Sequence, residues 1–219
     1  MNPDYENAAL QATRILIKYG INSAPVSPLP ILKHYPGVLV LSYDSLSDKI
    51  HEDRRSVISV FGEKSQDAFT TVSVRDGKQF YIVTYNQHLS QVLIQRALAR
   101  ELGHIVLGHD GTRPEEVRNN EARAFAHHLL CPRPLIHAVQ ASGIRLTEEV
   151  LGNLTGCYHH CLSCMRHMPG VHVPAELNHI VFEQFKDYFM NFFYYQQSAM
   201  HSDGSALADL GTYMDGYEE

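Results

Sequence analysis

Apolar positions recur along this chain with a helical period at its two ends and a strand period between them. From Asn2 to Tyr19, Ala9, Ala12, Ile15, Leu16 and Tyr19 recur at steps of three and four, and Gly20 follows as a stop, which predicts a helix. Ser23 to Pro36 holds four prolines around a short apolar pair, Ile31-Leu32, and reads as a loop or a brief helical turn. Three or four strands follow: Gly37–Tyr43, Ser56–Phe61, Phe69–Arg75 and Lys78–Tyr85. Asp76-Gly77 between the last two is a strong hairpin signal, so a small antiparallel sheet is expected over about 37–85.

The remainder is helical in pattern. Gln91–Leu107 closes at Gly108, Pro114–Leu130 at Cys131-Pro132, and a short helix over Pro134–Ala141 near Ser142-Gly143. Thr147 and Thr155 each read as N-caps. Pro174 to about Gln196 carries the longest apolar period, with Leu177, Ile180, Val181, Phe185, Tyr188, Phe189 and Phe192. After Gln197 the chain is polar and small, lacks Lys and Arg, and ends in two glutamates, which predicts a frayed tail over 197–219. One domain over 1–196 is expected.

Composition narrows this picture without redirecting it. Hydrophobic residues make up 44% of the 219, enough for a sizeable core. The net charge of −6 is the wrong sign for a face that neutralises phosphates, so nucleic acid is a poor first partner. The acidic start is unlike a signal peptide, and no stretch reaches the roughly 18 apolar residues of a membrane span. Four cysteines in such a chain suggest free thiols, and the protein is expected to be cytoplasmic.

The chemistry concentrates on the helix from Gln91. Two histidines four residues apart share one helix face and can bridge a zinc ion. A glutamate just after the first can take a proton from metal-bound water. Here Glu101 and His104 stand in those places, but Arg100 stands where the first histidine belongs. The next helix offers Glu121 as a further ligand.

These residues carry a resemblance. The run from Ala97 through Arg100-Glu101-Leu102-Gly103-His104 to His109, then Glu121-Ala122 with Phe125-Ala126, then Leu129-Leu130-Cys131-Pro132, resembles the ImmA/IrrE metallopeptidase family. Tyr85-Asn86 after the sheet and the proline-rich segment after the first helix resemble it too. The resemblance implies an α+β fold, a compact zincin-like domain with the sheet packed on the 91–107 helix and several C-terminal helices. It implies zinc as cofactor, with His104 and Glu121 as metal ligands and Glu101 as general base. Known members cleave or regulate transcriptional repressors in mobile elements and stress responses, so a repressor-like protein or peptide is the implied partner.

Two residues depart from the family pattern. Arg100 replaces a ligand, and Arg123 replaces an Asn or Asp after Glu121. A guanidinium stays protonated and has no lone pair for a metal. It can instead stand in for the cation, pairing with Glu101 or Glu121, and a site with two ligands left holds zinc weakly or not at all. The acids then form an ion-pair network with Arg100 and Arg123, and Arg100→His should raise zinc affinity strongly. A rescue is conceivable through His109. On a continuing helix it points roughly 140° from His104, but Gly108 could break the helix and swing it back. Asp110 is a weaker candidate, and His127 and His128 lie too far along. Three functions follow: a regulatory pseudopeptidase or weak peptidase, an active zinc endopeptidase with a rebuilt site, and, least favoured, a DNA-binding regulator.

Two other clusters read more simply. Cys157, Cys161 and Cys164 on one helix would spread over roughly 10 Å, too far for thiolates that must each sit about 2.3 Å from one zinc. They fit a packed helix face better, with His167 nearby. The aromatics Phe182, Phe185, Tyr188, Phe189, Phe192, Phe193, Tyr194 and Tyr195 read as core and seam of the last helix, with a surplus at its end that could cover a partner or a second copy of the chain.

Overall fold

A computed structural model describes residues 2–53, 55–56, 67–156 and 170–202. The first helix, α1, spans Tyr5–Lys18, with Asp4 as its N-cap accepting from the Asn7 amide. It buries Ala8, Ala9, Ala12, Ile15 and Leu16, the stripe read from the sequence. The proline-rich segment contains a helix, α2 (Pro28–His34), which buries Ile31 and Leu32. Strand β1 (Val38–Ser42) runs directly into α3 (Tyr43–Ile50). The Ser42 side chain caps α3 by accepting from the Ser45 amide. Of the expected strand at Ser56–Phe61, Ser56 is helical and the rest lies outside the described residues.

Strands β2 (Ala68–Arg75) and β3 (Lys78–Tyr85) form the predicted hairpin. Asp76 and Gly77 both have positive φ, 51° and 71°, as a two-residue turn of this hand requires. The sheet order is β1-β3-β2, and β1 pairs parallel to β3, from Val38 opposite Tyr81 to Ser42 opposite Tyr85. The sheet is therefore mixed rather than wholly antiparallel. No tight turn joins β1 to its neighbour, so nothing local fixed its direction.

Among the described residues five helices follow: α4 (Gln91–Val106), α5 (Glu115–Leu130), α6 (Arg133–Ala141), α7 (Glu148–Thr155) and α8 (Ala175–Ser202). The sheet packs on α4, α4 on α5, and α5 on α1, while α8 lies against α1 and α6. Thr147 caps α7 as expected, but Thr155 closes that helix, its hydroxyl donating to the Leu151 carbonyl. Helix α8 continues to Ser202, past the expected boundary at Gln196. It buries Phe185, Phe189, Phe192 and Phe193 and leaves Tyr194 and Tyr195 exposed. Cys131, buried at the end of α5, is in a disulfide rather than free; the other three cysteines lie outside the described residues. Among the described residues no helix is long and apolar enough to cross a membrane.

The contact that positions the site is between α4 and α5. A Cβ on Gly103 would meet Phe125 Cδ1 at 3.0 Å and the Ala122 carbonyl and Cα at 3.1 and 3.2 Å. The glycine and alanine of the two motifs thus let the helices approach, which sets Glu101 and His104 beside Glu121. Gly103→Val should destabilise the fold by about 1–3 kcal/mol through overpacking. Ala122→Gly should cost about 1 kcal/mol through helix propensity alone. Thermal unfolding of the two variants measures both.

Candidate functional site

Helix α4 ends at Val106, with Leu107 as its cap, and Gly108 takes φ 65°. The His109 amide still bonds back to the His104 carbonyl at 3.0 Å. The chain reverses there, and the His109 ring returns beneath the helix it has just left. His109 Nδ1 lies 2.8 Å from His104 Nδ1, and His109 Nε2 lies 3.0 Å from Glu121 Oε2. The glycine break therefore does swing His109 back.

Glu121 is buried, its side chain 3% exposed. Arg113, just before α5, donates through Nη1 to Oε2 at 2.8 Å and approaches Oε1 through Nη2 at 2.7 Å, a two-pronged ion pair. The Asp4 amide, at the N-terminus of α1, donates to Oε1 at 2.7 Å. Each carboxylate oxygen thus has two partners. The sequence pattern predicts Arg100 or Arg123 here. Arg123 instead donates to Asn120 Oδ1, and Arg113 was passed over because it falls in the loop rather than at a motif position.

Arg100 turns toward the sheet. Its Nη2 donates to Glu101 Oε1 at 3.1 Å and to the Ala68 carbonyl at 3.3 Å. Thr70 of β2 donates to Glu101 Oε2 at 2.8 Å. Burial raises the Glu101 carboxyl above the ordinary carboxylate range, against the opposing pull of Arg100 and Thr70. These groups form the floor of a cleft of about 770 Å³ between the sheet and α5. Val72 and Val74 line one wall, and Arg118 and Arg123 line the other. Asp110 also faces the cleft, its carboxylate accepting from the Thr112 amide and hydroxyl. His127 and His128 are buried on α5 and do not line it.

The protonation of the two histidines follows from the contacts. Burial, then the neighbouring His109, pushes His104 down to about 3. Burial also lowers His109, against the pull of Glu121. With both rings neutral, His109 must donate from Nε2 to the Glu121 carboxylate, so its Nδ1 carries a lone pair. His104 then donates from Nδ1 to that lone pair, which leaves its own acceptor at Nε2.

This arrangement does not fit a three-ligand zinc centre. Arg100 has no lone pair to give. An imidazole binds one ion through one nitrogen, whereas His109 turns a different nitrogen to each neighbour, so His104, His109 and Glu121 do not aim at a common point. Among the described residues, no group of three or more His, Cys, Asp or Glu is placed to hold a metal.

Neutral buried histidines make the fold acid-sensitive. His104 and His128 both sit at about 3 when folded, against 6.5 when unfolded. Between those values the unfolded chain binds more protons, so stability falls as pH falls from about 6.5 toward 3. In a series of melts across that range, His128→Gln should show a shallower acid decline than the parent chain. An unchanged slope would contradict the assignment.

Comparison with known proteins gives a family-model match. Residues 55–156, a little under half of the chain, fit the family model described as the IrrE N-terminal-like domain, peptidase family M78. No curated protein matches, and no solved structure matches. Members of this family are typically zinc-dependent. The matched span holds α4, α5 and every residue of the cleft floor, and the α+β arrangement around it agrees with such a domain. Residues 55–156 of the chain thus match the IrrE N-terminal-like domain of peptidase family M78, which supports the resemblance read from the sequence.

Proposed function

We propose that this protein is a regulatory pseudopeptidase: it holds a segment of a partner protein in the cleft and does not hydrolyse it. The observation that carries the reading is Arg100 at the first-ligand position, ion-paired to Glu101 at the general-base position. Hydrolysis by a zinc peptidase needs a metal with an open coordination position and a carboxylate available to the bound water. Arg100 supplies positive charge but no coordination, and both Glu101 oxygens already accept hydrogen bonds.

The cleft retains what recognition needs. Val72 and Val74 are exposed on the sheet wall, and Arg118 and Arg123 face them from α5. A segment that sets apolar side chains beside acidic ones suits these walls. The family resemblance makes a repressor-like protein the class of partner to try first.

His109 favours a second reading, an active peptidase with a rebuilt site, because it brings a third ligand-type side chain to His104 and Glu121. Elemental analysis separates the two readings. The purified chain, loaded with zinc and desalted, should retain well under one equivalent, and a chelator should leave its melting temperature unchanged. One equivalent of tightly held zinc, together with chelator-sensitive cleavage of a denatured protein substrate, would establish the second reading instead.

A further inference from the structure

The loop between α4 and α5, residues 107–114, does more than connect two helices. It carries His109 and Arg113, and both side chains reach the same buried carboxylate. We infer that this loop is an internal occupant of the metal position: the His109 imidazole and the Arg113 guanidinium together take the place of the cation between His104 and Glu121. The loss of the metal centre is then built in twice, once at Arg100 and once, independently, in this loop.

Three observations support this. His109 spans from His104 Nδ1 to Glu121 Oε2, at 2.8 and 3.0 Å, and so fills the gap between the two remaining ligand positions. Its side chain is 2% exposed, so the ring is packed into the site rather than resting over it. Arg113 engages both Glu121 oxygens, at 2.7 and 2.8 Å, and is permanently charged. A zinc ion approaching Glu121 would have to break that ion pair inside the protein and would meet a fixed positive charge as it did so. Gly108, at φ 65°, makes the arrangement possible, because a continuing helix would carry His109 to another face.

The consequence differs from the simplest expectation from the sequence. Restoring the first ligand by Arg100→His should not by itself restore tight zinc binding, because Glu121 remains saturated. The inference rests on the metal-independent reading above but is tested apart from it. Zinc content of the unaltered chain tests that reading, whereas the variants below test the loop.

Zinc is titrated against a competing chromophoric chelator into R100H, R100H/R113Q and R100H/H109Q/R113Q. Glutamine preserves hydrogen-bonding capacity near Glu121 without the charge. R100H should bind zinc roughly 100-fold or more weakly than the triple variant, with the double variant between them. Only the triple variant should show a large zinc-dependent rise in melting temperature. Equal affinity of R100H and the triple variant would overturn the inference. Should the triple variant fold only with zinc, the comparison of R113Q with R123Q in the otherwise unaltered chain remains decisive. R113Q should lower the melting temperature clearly more than R123Q, since Arg123 is exposed and donates to Asn120 rather than to a buried carboxylate. Equal effects would also overturn it.

Discussion

A carboxylate buried as deeply as Glu121 must be compensated, and the rest of the site is arranged around that requirement. An isolated buried charge costs several kcal/mol, whereas one met by a two-pronged guanidinium and further N–H donors can be held. The donors come from two parts of the chain, the start of α1 through the Asp4 amide and the α4–α5 loop through His109 and Arg113, while α5 bears the acid. One side chain therefore ties the N-terminal helix to the helix pair that defines the cleft. The placement of Glu121 near the N-terminus of α1 adds a favourable helix dipole.

The second acid plays the same part toward the sheet. Glu101 is linked to Thr70 directly and to the Ala68 carbonyl through Arg100, so α4 is fastened to β2 by polar contacts as well as by packing. In a metal peptidase these two acids would serve the ion and its water. Here their charges are answered by the chain itself. The scaffold persists because its geometry comes from the close approach of Gly103 to Ala122 and Phe125, a packing contact that needs no ion.

Much of this was legible in the sequence, for stated reasons. The hairpin followed from Asp76-Gly77, the helix pair from its period and stops, and the family resemblance from residues clustered over Ala97–Pro132. That Arg100 would pair with an acid followed from its charge. The direction of β1 was not legible, since register and direction depend on partners distant in sequence. Helix α3 was missed although Ser42 marks its start. Arg113 was missed because helical spacing says nothing about loop residues, and its partner lies eight positions away across a turn. His109 could be raised as a candidate from Gly108 alone, but only the fold shows that its two nitrogens face two different neighbours.

The central claim, that the acids of a metal-peptidase framework are satisfied by the chain's own donors, can be tested on the imidazole rings themselves. Long-range proton–nitrogen NMR spectra of uniformly labelled protein at neutral pH distinguish the two histidine tautomers. The account predicts His104 protonated at Nδ1 and His109 protonated at Nε2, with both signals unmoved by an equivalent of zinc or by a chelator. Metal-type shifts of both rings on adding one equivalent of zinc would contradict it.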